Sequence, residues 1–368
     1  MLEYVLIAFI AIFCIQFIFY VFIFGAFAFS KRKLPNTAFN KPVSVLICAK
    51  NEAKNLKKHL PHFINQSYPN FELVLINDRS RDKTLEIMKE FHQQYPTKIK
   101  IVDVKENEQF WGSKKYALTL GIKAASNEHL LFSDADCKPV SEHWISEMTQ
   151  HFSEKDIVLG YGAYTKVKKS FLNKLIRFET LLTAIQYFSF AKIGSPYMGV
   201  GRNLAYTKSL FFSVNGFADH IKIKSGDDDL FINQVATKNN TTNCFSANSF
   251  TESKPKTTFK NWILQKRRHV STATHYKPVH KFLLGLFYSS QLLFWLLSIV
   301  LIAFLFNWII VASLIFTRFL IQNLVIGFSA KKLNENDLVI LTPLLEIFLI
   351  FVQLFIFIKN TISKPHHW

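Results

Sequence analysis

Acidic side chains are scarce in this sequence: 26 stand against 44 basic ones, and the charged fraction is only 19%. A soluble domain usually carries nearer 25%, so much of the chain lacks the charge that a water-facing surface needs. The four cysteines, Cys14, Cys48, Cys137 and Cys244, have neither the spacing of a disulfide framework nor that of a zinc site. They fit a reducing compartment. No glycine-rich phosphate loop follows the first predicted strand, neither GxGxxG nor the Walker pattern, which argues against a Rossmann dinucleotide site and a P-loop NTPase. Internal repeats, low-complexity tracts and nucleic-acid motifs are also missing. The formal net charge of +18 is therefore read as attraction to anionic lipid, with no nucleic-acid partner.

What is abundant is phenylalanine, 38 residues, concentrated toward the two ends of the chain. Val5 to Phe29 carries no charge and is long enough to span a bilayer. It exceeds the apolar region of a signal peptide, so a retained membrane helix is expected over 4–29. Residues 282–359 predict about three more helices, 282–305, 309–328 and 338–358, with Asn307 and Trp308 at a turn. Lys31, Arg32, Lys33, Lys41, Lys277 and Lys281 flank the polar centre, and Lys331 and Lys332 lie in a second short loop. By the positive-inside rule these sites face the cytoplasm, although Lys359 and Lys364 after the last span run against it. The expectation is an integral protein of the plasma (inner) membrane with its polar centre in the cytoplasm. Arg318 and Glu346 are the charges inside the spans, and each would cost about 3 kcal/mol facing lipid.

Residues 42–276 read differently. Short apolar runs, 43–49, 71–76, 98–104 and 129–133, alternate with helical patterns over 52–66, 82–95 and 113–125. This alternation predicts an α/β fold, a mostly parallel sheet with helices on both faces. In such sheets ligands bind beyond the carboxyl ends of the strands. Lys50, Asn51 and Glu52 follow the first strand, Asn77 to Ser80 follow the second, and Asp134 and Asp136 follow the fourth.

Residues 130–139 read LLFSDADCKP, an apolar strand ending in two carboxylates one residue apart. Their repulsion is relieved either by solvent or by a divalent cation, which carboxylate oxygens bind well. Asp227, Asp228 and Asp229 are consecutive in SGDDDL. They suit a helix cap, or a carboxylate whose pKa is raised by its neighbours and which acts as a base. Gln265 and Arg268 share one helix face in QKRRH, either as a phosphate contact or as a basic segment at the membrane surface. Phe171 to Phe190 fits an interfacial helix or a helix packed on the sheet.

The order VSVLICAKNE, DxD, GDD, QxxR and then membrane helices resembles the inverting family 2 glycosyltransferases with the GT-A nucleotide-diphospho-sugar fold. The closest likeness is to membrane-embedded members such as ceramide glucosyltransferase and the polysaccharide synthases. The resemblance implies that Ala49, Asn51 and Glu52 line the nucleoside pocket and that Asp78 reads the base or ribose. Lys114, with Lys115 as the alternative, would lie near the phosphates. Asp136 would be the main ligand to Mg2+ or Mn2+, with Asp134 touching both metal and nucleotide. Asp228 would be the catalytic base beside Asp227, and Gln265 and Arg268 would face the diphosphate. Gly201, Arg202 and Asn203 would shape the acceptor side. His269 stands where the family motif has Trp, which bears on the acceptor. The implied activity is metal-dependent hexosyl transfer in the cell envelope. The donor would be a UDP-sugar, with a GDP-sugar as the alternative, and the acceptor a lipid or lipid-linked saccharide. A processive polysaccharide synthase and a non-catalytic scaffold or transport component remain the alternatives.

Overall fold

A computed structural model describes residues 1–33, 35, 39–105, 114–223 and 225–363. Lys364 and the residues just before Lys114 lie outside this range. The chain forms two compact units. The α/β unit comprises Arg32–Lys168 and Gly194–Lys256. The membrane unit comprises Met1–Lys31, Lys169–Ile193 and the chain from Thr257 onward.

Ten strands build the α/β unit: β1 Val43–Ala49, β2 Phe71–Asp78, β3 Ile99–Val104, β4 His129–Asp134, β5 Cys137–Pro139, β6 Ile157–Leu159, β7 Gly162–Tyr164, β8 Leu204–Thr207, β9 Thr241–Asn243 and β10 Thr251–Ser253. The larger sheet has the order β3-β2-β1-β4-β8-β6-β9, and the smaller one β5-β10-β7. β1 pairs in parallel with both β2 and β4, and β2 with β3. β8 runs antiparallel to both its neighbours, β4 and β6, so the sheet is mixed. Val43, Val45, Leu46 and Ile47 are all buried, as expected of a parallel strand covered on both faces. Leu56, Leu60, Phe63 and Ile64 recur along helix Ala53–Ile64 at helical spacing and close one of those faces.

The strand order fixes where a ligand can sit. From β1 the chain winds outward to β2 and β3, then returns to the other side of β1 as β4. That reversal leaves a crevice at the carboxyl ends of β1 and β4. Register brings Ala49 opposite Asn77 and Cys48 opposite Asp134. The three polar clusters read from the sequence therefore share one edge.

Among the described residues, four helices of the membrane unit are long and apolar enough to cross a bilayer: Leu2–Ala28, Pro278–Ala303, Trp308–Lys332 and Asn336–Ile362. The turn between the second and third holds Asn307 in the left-handed region, φ 45°. Leu2–Ala28 contains a π-helical stretch, Phe19–Phe24. Arg318 and Glu346 meet inside the unit, and both are almost fully buried. Arg318 Nη2 donates to Glu346 Oε1 at 2.6 Å, and Nη1 to Gln322 Oε1 at 3.0 Å and Glu346 Oε2 at 3.1 Å. Its Nε donates to Gln16, and Gln291 Nε2 donates to Glu346 Oε1 at 2.9 Å. All four helices contribute, and the pair is hydrogen-bonded where lipid could not satisfy it.

Two shorter helices, Phe171–Lys192 and Phe259–Ala273, group with this unit rather than with the sheet, whereas the sequence pattern read 42–276 as one stretch. Side-chain chemistry explains the difference. Arg177 is buried and binds Glu335 and Asp337, which follow Trp308–Lys332. Phe188 packs on Phe27 and Phe171 on Phe348. Lys266 pairs with Glu179, while Arg267 Nε donates to Asn360 Oδ1 at 2.8 Å.

Candidate active site

The turns after β1 and β2 interlock. Asn51 and Arg79 both adopt left-handed backbone, φ 57° and 52°. Asn51 N donates to Ser80 Oγ at 3.0 Å, and Arg81 N returns a bond to Asn51 Oδ1 at 2.8 Å. Glu52 N donates to Thr84 Oγ1 at 2.8 Å and Ala53 N to Asp82 Oδ2 at 3.2 Å. The first N–H groups of helix Ala53–Ile64 thus find acceptors in the neighbouring turn. Ala49 is buried at the end of β1. Asp78 is also buried, and its Oδ1 accepts from Arg79 Nε at 2.8 Å. Arg79, part of the Asn77–Ser80 cluster read from the sequence, thus lies against Asp78.

β4 ends at Asp134, and Asp136 and Cys137 follow. Asp134, Asp136 and Cys137 each offer a ligand atom, and those atoms lie within 4.8 Å of one another. Burial, followed by the charge of Asp134, pushes the Asp136 carboxyl above its ordinary pKa. Glu52 is also raised, chiefly by burial, with Asp136 and Asp134 adding to it. Two carboxyls that resist ionising beside a third, Asp134, fit a divalent cation, and hard oxygen donors suit Mg2+ or Mn2+. Cys137 has no disulfide or zinc spacing in the sequence, and here its thiol donates to Asp136 Oδ1 at 3.5 Å. Its place directly after the DxD pair was the signal.

Lys114 opens helix Lys114–Ala124 and projects into the crevice. Its Nζ lies 2.9 Å from Asp134 Oδ1 and 3.0 Å from Asp227 Oδ2. Burial pulls its pKa down, and the two carboxylates outweigh that and hold it well above the usual lysine value. Lys115 is turned away and fully buried. It donates to the carbonyls of His220 and Ile223 at 2.7 and 3.1 Å, and so anchors the segment leading to the aspartate triplet.

That triplet begins after Gly226, whose φ of 92° turns the chain; a Cβ there would also strike Leu230 Cδ1 at 2.5 Å. Asp228 caps helix Asp229–Val235 through Asp229 N, 2.8 Å from its Oδ1. Gly201 N donates to the other oxygen, Oδ2, at 2.6 Å. A Cβ on Gly201 would lie 3.3 Å from that oxygen, so a side chain there would press the carboxylate aside by a few tenths of an ångström. Burial first, then Asp227 and Asp229, push Asp228 up to about 7, while Gly201 N and Lys114 pull the other way. A carboxylate with that pKa exchanges a proton readily near neutrality. Cys48, Lys114, Asp134, Gly201, Asp227 and Asp228 line one cleft together with apolar side chains of β1, β4 and β8.

Arg202 stacks on Tyr164 at 4.3 Å and lowers the Asp136 pKa, so its charge bears on the cation side. Asn203 is wholly buried. Its Nδ2 donates to the Tyr161 and Ser249 carbonyls, and its Oδ1 accepts from Trp144 Nε1. It sets the shape of the loop rather than touching a ligand. Gln265, Arg268 and His269 lie on helix Phe259–Ala273 of the membrane unit. Gln265 and Arg268 are partly exposed and share a face, His269 is exposed, and burial lowers the Arg268 pKa.

Residues 44–214 match the family model "Glycosyl transferase family 2". An uncharacterised glycosyltransferase of Haemophilus influenzae is 32% identical over 127 residues, 34% of this chain and 37% of the relative. A 4,4'-diaponeurosporenoate glycosyltransferase of Staphylococcus haemolyticus is 28% identical over 181 residues, 49% of this chain and 45% of the relative. The matches thus span less than half of these curated relatives' length. A mannosyltransferase of Pyrobaculum calidifontis, solved with GDP-Man and Mn2+, superposes with a TM-score of 0.59 at 16% identity. That likeness covers 94% of this chain and 99% of the other.

Proposed function

We propose that this chain, whose residues 44–214 form a family 2 glycosyltransferase domain with the GT-A fold, moves a sugar from a nucleoside-diphosphate donor to a hydroxyl of a lipid or lipid-linked saccharide. The observation that carries the reading is Asp228, poised near pH 7 in a cleft shared with Lys114 and Asp134. Asp228 takes the acceptor's hydroxyl proton as that oxygen attacks the anomeric carbon, and a single displacement inverts the centre. Gly201 N and Asp229 N hold the two carboxylate oxygens in place. Lys114 supplies positive charge for the departing diphosphate. Asp136, with Asp134, would hold Mg2+ or Mn2+, which when bound neutralises the same leaving group. Asp78 and the interlocked turns at Asn51 form the nucleoside end. The base is uracil or guanine; the P. calidifontis protein, similar in fold, was solved with GDP-Man and Mn2+.

Four apolar helices support an acceptor drawn from the membrane. The lysines flanking them support a cytoplasmic catalytic unit, with the plasma membrane as the site of action. A processive synthase is the second reading. It is favoured by a poly-beta-1,6-N-acetyl-D-glucosamine synthase of Staphylococcus epidermidis, 36% identical over 94 residues, 26% of this chain and 21% of the relative. His269 in the QxxR segment weighs toward single transfer.

Asp228→Asn tests the base. Transfer should fall by roughly 10²–10⁴-fold with donor binding retained. Unchanged transfer to extracted membrane lipids, read by mass spectrometry, would remove Asp228 from the mechanism. Treating wild-type membranes with EDTA in the same assay tests the metal.

A further inference from the structure

We propose that Lys114 makes divalent-cation binding at Asp134 and Asp136 conditional on a nucleoside diphosphate, so that the cation enters and leaves with the nucleotide. The inference rests on the reading of the cleft as a donor site. It starts from where the ammonium sits: 2.9 Å from Asp134 Oδ1 and 3.0 Å from Asp227 Oδ2, with the lysine side chain only 25% exposed. One positive charge thereby ties the cation pair to the aspartate triplet. Asp134 spends part of its acceptor capacity on Lys114, and any cation it holds shares that carboxylate with a like charge.

A nucleoside diphosphate changes the balance. Its oxygens offer the ammonium a partner with more charge than one carboxylate. Lysine has three donors on a rotating head, so it can keep Asp227 and exchange Asp134 for a phosphate oxygen. Asp134 is then returned to the cation. Coupling of this kind is reciprocal: whatever the nucleotide adds to cation affinity, the cation adds to nucleotide affinity. The consequence for the cycle is that loss of the diphosphate product lets Lys114 fall back on Asp134 and expel the cation.

The test measures Mn2+ binding by electron paramagnetic resonance on the full chain in nanodiscs, without nucleotide and with UDP or GDP. Lys114→Met and Lys114→Gln should tighten nucleotide-free Mn2+ binding by about tenfold and weaken nucleotide binding in EDTA. Lys256→Met is the control. That lysine also bears on Asp136 and Glu52, but bonds neither, and its removal should change Mn2+ affinity far less. The proposal is overturned if both Lys114 variants bind Mn2+ no tighter than wild type, or if Lys256→Met matches their gain. If wild type binds neither Mn2+ nor either nucleotide, the donor-site reading itself falls, and this inference with it.

Discussion

Asp228 carries opposite consequences for activity and for stability. Its folded pKa of about 7 lies above the usual carboxylate value near 3.9. As a base it acts only when ionised, so kcat/KM should rise with pH and level off above about 7. The folded protein holds this proton more tightly than the unfolded chain does. The stability it contributes is therefore full below about pH 4 and is lost as pH rises through about 7. A pH series of kcat/KM checks the first statement; an ascending limb near pH 4 would assign the base elsewhere. At this scale the sequence was informative about identity and silent about commitment. Asp134 and Asp228 stand out by spacing, and Lys114, with Lys115 as the alternative, only through the family resemblance. Nothing in the letters said that Lys114 bridges Asp134 and Asp227, or that Asn203 turns inward to three partners. Those choices follow from packing between residues distant in the chain.

In the function proposed above, donor geometry depends on the two interlocked turns. Thr84 supplies the Oγ1 that receives Glu52 N, and no residue within helix Ala53–Ile64 does so. Thr84→Val keeps the shape and removes that acceptor, which should cost about 1 kcal/mol of stability. It should also weaken donor binding more than it slows transfer, as isothermal titration and steady-state kinetics can separate. An unchanged donor affinity would relegate the turns to scaffolding. Strands β1 to β4 and the helices between them were legible because period and apolar runs are local signals. The short strands β6, β7, β9 and β10, three residues each, were not. They exist through pairing with partners far along the chain, and β8, in a stretch with no predicted strand, pairs antiparallel to β4 and β6.

For the whole molecule, the Arg318–Glu346 pair is the feature that joins all four membrane helices. Glu346→Leu alone leaves a buried guanidinium without its counter-charge and should destabilise the fold by about 3 kcal/mol. Adding Arg318→Met should recover most of the loss, since the apolar pair has no charge to satisfy. Thermal unfolding in nanodiscs reads both, and a single variant as stable as wild type would refute the assignment. The spans themselves were plain from hydropathy. The grouping of Phe171–Lys192 with the membrane unit decides between two readings the sequence leaves open, because its partners come from elsewhere in sequence. Arg177 finds its carboxylates 158 and 160 residues later. At about 5–20 residues per second, the ribosome needs roughly 8–32 seconds to make them. During that time a largely apolar helix with an unmatched arginine must wait in the cell. Its safe keeping, by an early lipid surface or by a chaperone, is a requirement of biosynthesis written into the order of the chain.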